Sequence, residues 1–165
     1  MRNGPGNRIA TIGVYGFDLP GFLAALDGAA VTTVVDVRQR RGVRGPEYAW
    51  ANSRRLQAAL AEAGIDYVHM KELAPTTEMR RLQYREDARE GVGKRSRTRL
   101  AEGYVAGYTE QILDPADLSP LLELASGGGM PALLCVEREA AACHRSLIAE
   151  RLKREHGLRV LHLGP

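Results

Sequence analysis

The run Val31-Thr32-Thr33-Val34-Val35-Asp36-Val37 is β-branched at every position but one and apolar on both alternations. Such a run is stable only with both faces covered, as in a central strand of a parallel sheet. Strand-like runs also occupy residues 9–15, 65–69, 131–136 and 158–163, with helical patterns between them. The alternation predicts an α/β fold: a mostly parallel five-stranded sheet with helices on both faces. At 165 residues the chain has the size of one domain, expected over residues 9–165 behind a flexible N-terminal segment, 1–8.

Helix boundaries follow from capping chemistry and apolar period. Asp18 and Pro20 start a helix through Phe22–Leu26. Asn52 caps one whose Leu56, Ala59, Leu60 and Ala63 share a face, and Gly64 ends it. Leu100, Tyr104, Tyr108 and Ile112 recur every four residues and mark another. A short helix spans 118–124, and the last carries Leu147, Ile148 and Leu152 before Gly157. From Thr76 to Gly93 the chain is polar and basic without an apolar period. It reads as a surface loop or a lid, with Gly91 and Gly93 interrupting any helix.

The net charge of +3 hides an uneven distribution. Residues 38–55 hold six arginines against Glu47 alone, and residues 80–99 hold eight basic residues against three acidic ones. The rest of the chain is acidic. Two basic segments on an acidic body fit a polyanion, although an arginine-rich solvated surface gives the same count. No apolar run approaches the ~20 residues that span a bilayer. No signal-peptide core follows Met1–Gly6, and Cys135 and Cys143 are too few for a disulfide scaffold. A cytoplasmic location with reduced thiols is the expectation, with no membrane partner.

Ligands of such sheets bind beyond the carboxyl ends of the strands. That rule selects Tyr15-Gly16, Asp36-Val37-Arg38, His69 and the cluster from Cys135 to Ser146. Cys135 and Glu137, two apart at a strand end, share a face. Cys143-His144-Arg145 falls at the start of the next helix, where free N–H groups and the dipole favour an anion and lower a thiol pKa. A cytosolic cysteine is more commonly a small buried hydrophobe, and that reading of Cys135 stands beside the chemical one. Asp36 can orient an arginine, take a proton or cap a loop, and His69 can be a base or a surface residue. No Walker A or G-x-G-x-x-G sequence occurs, so no nucleotide cofactor is expected. Zinc on Cys135, Cys143, His144 and His69 meets two objections: no C-x-x-C pair exists, and adjacent Cys143 and His144 are poorly placed to share an ion. No metal is therefore expected.

Thr11-Ile12-Gly13, Val35-Asp36-Val37-Arg38, Gly64–His69 and Leu134-Cys135-Val136-Glu137 with Cys143-His144-Arg145 together resemble the family catalogued as domain of unknown function 488. The resemblance covers nearly the whole chain and implies a fold and a site without a settled reaction. Val14-Tyr15 stands where the family often has His-Ser, and Gln39–Gly45 replaces its usual proline and serine. These departures point to a subgroup with its own substrate. A weaker likeness to rhodanese-type sulfurtransferases rests on Val35–Arg38 and the closing segment from Arg145. Neither cysteine has the spacing to Arg145 of a rhodanese loop.

The expected function is a small hydrolase of a glycosidic or phosphodiester bond in nucleic acid, DNA or RNA, or in a small phosphorylated, nucleotide-like anion. Glu137, Asp36, His69 and Cys135 are its candidate catalytic residues. Cys143, His144, Arg145, Arg38 and Tyr15 are expected to bind the substrate anion. Arg40, Arg41, Arg44, Lys94, Arg95 and Arg97 are expected to grip a nucleic-acid backbone, with Trp50, Tyr48 or Tyr84 stacking on a base. Thiol-based sulfur transfer and a non-enzymatic nucleic-acid-binding or regulatory module are the alternatives.

Overall fold

The computed structural model describes residues 7–165. Five strands, β1 (Arg8–Ile12), β2 (Thr33–Asp36), β3 (Asp66–His69), β4 (Pro131–Leu134) and β5 (Arg159–Leu163), form one sheet in the order β3-β2-β4-β1-β5. Every pairing is parallel. Residues 1–6 of the expected N-terminal segment lie outside the described residues. Arg8 already belongs to β1, in register with Arg159 of β5.

Both β2 and β4 are buried at every position, as their unbroken apolar character requires. Helices α1 (Leu19–Gly28) and α2 (Ser53–Glu62) cover one face, where Phe22, Leu26, Leu56 and Leu60 pack on Ile12, Val34 and Leu134. The other face carries α4 (Glu102–Tyr108), α5 (Ser119–Ala125) and α6 (His144–His156), with Tyr108, Leu121, Ile148 and Leu152 packed near Ile9, Val35 and Leu133. No helix among the described residues is long and apolar enough to cross a membrane.

Capping chemistry sets some of the helix ends. Asp18 caps α1 by accepting from the Gly21 N–H at 2.8 Å. Asn52 occupies the cap position of α2, but its side chain accepts from Val43 N–H at 2.7 Å and ties down the preceding loop instead. The apolar period of four that includes Ile112 breaks at a π-helical turn, Thr109–Leu113. One extra residue in that turn moves Leu113 into the core in place of Ile112.

The segment expected to be a loop or lid is instead a fourteen-residue helix, α3 (Thr77–Glu90). Thr76 caps it by accepting from Met79 N–H, and Gly91 ends it in the left-handed region at φ 72°. The glycine therefore terminates a helix rather than preventing one. The inward positions at i, i+4 and i+8 are Met79, Gln83 and Asp87, all buried. Two of the three are polar, so the helix has an inner face but no apolar stripe.

The strand order places the site. From β1 the chain moves toward β2, and from β4 it moves the opposite way toward β5, although β1 and β4 are neighbours. Their following loops diverge and open a crevice at the carboxyl edge. The two loops remain joined at its base, where Val14 and Tyr15 N–H both donate to the Val136 carbonyl. A Cβ on Gly13 would lie 1.9 Å from the Glu137 carbonyl oxygen, so only glycine permits this approach.

Thr76→Ala should lower unfolding free energy by about 1 kcal/mol through the lost cap. The measurement is a denaturant midpoint with unchanged slope; a neutral substitution would mean that α3 has no cap there.

Candidate functional site

The crevice is a cleft of about 650 Å³ lined by residues from four chain segments. Arg40, Arg44, Arg80, Lys94 and Arg95 stand around it, with Arg38 and Arg97 deeper. Glu137 is the only acidic residue in its lining among the described residues, beside Cys135, His144 and Tyr104. The two basic segments, far apart in sequence, thus meet across one opening.

Not every arginine there is free. Asp36 is fully buried, and Arg38 is 2% exposed. Arg38 Nε and one NH2 group donate to the two Asp36 oxygens at 2.9 and 2.8 Å, and its remaining NH donates to the Ala51 carbonyl at 2.9 Å. Burial alone would lower the Arg38 pKa, but the Asp36 bonds outweigh it and raise it. Tyr67 OH also donates to Asp36, at 2.5 Å. Each guanidinium nitrogen of Arg38 makes one such bond, to Asp36 or to the backbone, while the side chain still lines the cleft. Together they anchor the segment after β2, a structural role that stands beside the substrate-binding and proton-moving roles expected of Arg38 and Asp36. His69 lies opposite Asp36 in the sheet and turns its Nε2 to the Arg38 carbonyl at 3.1 Å. It does not line the cleft.

Arg97 and Arg145 are likewise structural. Arg97 bridges Asp87 of α3 at 3.0 Å, Glu137 at 2.7 Å and the Ala142 carbonyl at 3.1 Å. Arg145, 1% exposed, donates to the carbonyls of Glu137 and Arg138, leaves Nε buried without a partner and is not part of the cleft lining. Its contacts position the loop after β4 and do not by themselves supply the phosphate-holding role expected of Arg145. Arg41 points to Tyr67 OH and also lies outside the lining.

The aromatic candidates divide similarly. Trp50 packs on Phe22 with ring centroids 4.9 Å apart and belongs to the core. Tyr15 and Tyr48 lie 5.2 Å apart, and the Arg95 guanidinium covers both rings at 5.2 Å. Tyr84 stays on the rim, half exposed, beside Arg80. Arg40, Arg44 and Lys94 have no ion-pair partner among the described residues and remain able to meet a ligand.

The floor is built by the end of β4 and the start of α6. Cys143 is the N-cap of α6 in extended conformation, and His144 is its first helical residue. The change of backbone direction between them turns their side chains to one point. The Nδ1 atom of His144 lies 3.7 Å from Cys143 Sγ and 3.8 Å from Cys135 Sγ. Adjacency therefore does not separate Cys143 from His144, contrary to the sequence expectation. On the other side of the ring, Nε2 lies 2.8 Å from the Val37 carbonyl. A carbonyl can only accept, so Nε2 carries the proton and, in the neutral ring, Nδ1 presents its lone pair to both thiols.

Charge placement divides the two thiols. Burial raises both, and Cys143 as a neighbour raises Cys135 further. For Cys143 the burial effect is outweighed by hydrogen bonding from Cys135 and by His144 and Arg145, which hold it well below the usual thiol range. Burial lowers His144, but the neighbouring Cys143 sulfur more than compensates and raises it. Glu137 is raised, first by burial and then by Cys143. One Glu137 oxygen is held by Arg97, while Oε2 is buried without a hydrogen-bond partner.

The family model described as "Domain of unknown function DUF488" matches residues 18–152. The chain belongs to the DUF488 family. No curated protein and no solved structure matches it significantly. The matched span of this DUF488 chain includes every residue of the floor and all the cationic rim, while Tyr15 precedes it. Arg80, Gln83, Tyr104 and Asp87 were not singled out from the sequence. For Gln83 and Asp87 the signal was their i+4 and i+8 spacing from Met79, masked because both are polar; Arg80 and Tyr104 stood only within the basic segment and a helical period.

Asp36→Ala leaves the Arg38 charge buried and unpaired and should cost about 3–5 kcal/mol in urea unfolding. Replacing the pair together by Leu and Met should recover most of that loss. Equal losses in the single and the double variant would refute the paired role.

Proposed function

We propose that this protein is a hydrolase of a phosphate-bearing substrate, a nucleic acid or a nucleotide-like anion, acting on a glycosidic or phosphodiester bond. The observation that carries the reading is the position of Glu137. Among the described residues it is the sole carboxylate in the lining of a cationic cleft, oriented through one oxygen by Arg97 and free at the other. A carboxylate held this way is suited to general acid–base work on a group whose phosphates are met by Arg40, Arg44 and Lys94. The cleft volume of about 650 Å³ suits a nucleotide-sized group. Tyr84, still half exposed at the rim, offers a stacking face to a base.

A second reading, thiol-based group transfer, is favoured by the contact of His144 Nδ1 with both sulfurs. It requires a thiol that alkylates in the folded protein, and loss of activity in the matching Cys→Ser variant.

Fluorescence anisotropy with labelled single- and double-stranded DNA and RNA, across a salt series, tests the binding half of the proposal. Arg40→Gln, Arg44→Gln and Lys94→Gln should each weaken binding and reduce the log–log salt slope by roughly 0.7–0.9. Absence of binding at low salt to these and to mononucleotides would remove the proposed substrate class. Glu137→Gln should lower kcat by about 10²–10⁴-fold while the dissociation constant stays near that of the unmutated chain. Equal loss of binding and turnover would reassign Glu137 to holding the fold.

A further inference from the structure

We infer that Cys135, Cys143 and His144 form a binding site for a thiophilic divalent cation, zinc foremost, with one coordination position open to the cleft. The site stands on its own geometry and does not depend on which substrate the cleft takes. The two Sγ atoms and His144 Nδ1 all lie within 4.8 Å of one another. The two sulfur–nitrogen separations are 3.7 and 3.8 Å. Tetrahedral zinc with Zn–S of about 2.3 Å and Zn–N of about 2.0–2.1 Å needs S···N edges near 3.6 Å and an S···S edge near 3.8 Å. Both sulfur–nitrogen edges are already close to that size, and the sulfur–sulfur edge is within 4.8 Å.

The surroundings are those of a metal ligand set. The Nε2–H of His144 is held by the Val37 carbonyl, which fixes the ring and leaves Nδ1 as the ligating atom. Two thiolates, one neutral imidazole and one divalent cation sum to zero charge, which suits a site where all three ligands are buried. Calcium and magnesium are disfavoured because no oxygen donor belongs to the triad.

A second, independent observation points to a ligand at the same place. Glu137 is 6% exposed, lines the cleft with Cys135 and His144, and leaves Oε2 buried without a partner. Its carboxylate does not complete the triad. Its unpartnered oxygen, in the same lining as Cys135 and His144, would serve as acceptor for a water on the open coordination position. Three protein ligands and one open position are the pattern of a catalytic rather than a structural zinc.

The test is metal binding by the full, tag-free chain, stripped with a chelator and reloaded with Zn²⁺ or Co²⁺. One zinc per chain should bind with release of about two protons. Both thiols should become protected from alkylation on loading. The cobalt form should show thiolate-to-cobalt charge transfer with tetrahedral ligand-field bands. Cys135→Ser and Cys143→Ser should each weaken zinc binding by more than the ~10–100-fold typical of losing an outer-shell partner. Glu137→Gln should keep the stoichiometry and the charge-transfer band. Cobalt binding without that band, thiols that alkylate equally with and without zinc, or undiminished zinc affinity in the Cys135→Ser/Cys143→Ser double variant would overturn the site. The spectrum and the protection are read on the unmutated chain, so a variant that fails to fold decides nothing against it. None of these readouts uses a substrate, so failure of the metal site and failure of the hydrolase reading are told apart.

Discussion

The end of β2 holds the cleft together. Within three residues, Asp36 anchors Arg38, the Val37 carbonyl orients His144, and the Arg38 carbonyl meets His69. The Asp36–Arg38 pair is closed off from water, so its attraction is unscreened and its bonds to Tyr67 and Ala51 complete the desolvated groups. Through Ala51 the pair fixes the short 3-10 segment Pro46–Ala51 and the arginine-bearing loop before it. Through Val37, one strand decides the orientation of a ring that starts a helix 107 residues later.

A second polar network sits on the opposite side of the floor. Gln83 donates to Asp87 and accepts from Ala101 N–H, and Asp87 pairs with Arg97, which in turn holds Glu137. In this way α3 is docked by hydrogen bonds where its neighbours are docked by apolar contact. The arrangement separates the cleft arginines into two populations. Those that reach carboxylates or carbonyls beneath the surface set positions, and those left at the rim with no partner carry the field that an anion would meet.

The alternation of strands and helices was legible because parallel central strands and amphipathic helices write their burial directly into residue type. Val31–Val37 and Pro131–Val136 could not be anything but covered strands. The first and fourth strands end earlier than their apolar runs suggest, at Ile12 and Leu134, since β1 and β4 give up pairing where their loops diverge. α3 was missed because its inner face uses Gln83 and Asp87, and no rule of apolar period detects a helix packed on hydrogen bonds. The candidate cluster from Cys135 to Arg145 was found from strand-end and helix-start logic. Not legible in the sequence were the backbone carbonyls and the Asp36 carboxylate that take several of the donors of Arg145 and Arg38.

What the sequence by itself determined is the layer architecture, the carboxyl edge at which the cleft opens and the family to which the chain belongs. These follow from local pattern, where each residue's burial is set by its own period and its near neighbours. Only the tertiary structure decided which charges are spent and which are free, because a guanidinium has five donors and nothing local says where they go. It also decided that Cys135, Cys143 and His144 share one point. Two of those residues are adjacent, and their convergence depends on an extended cap turning into a helix directly above the end of a neighbouring strand.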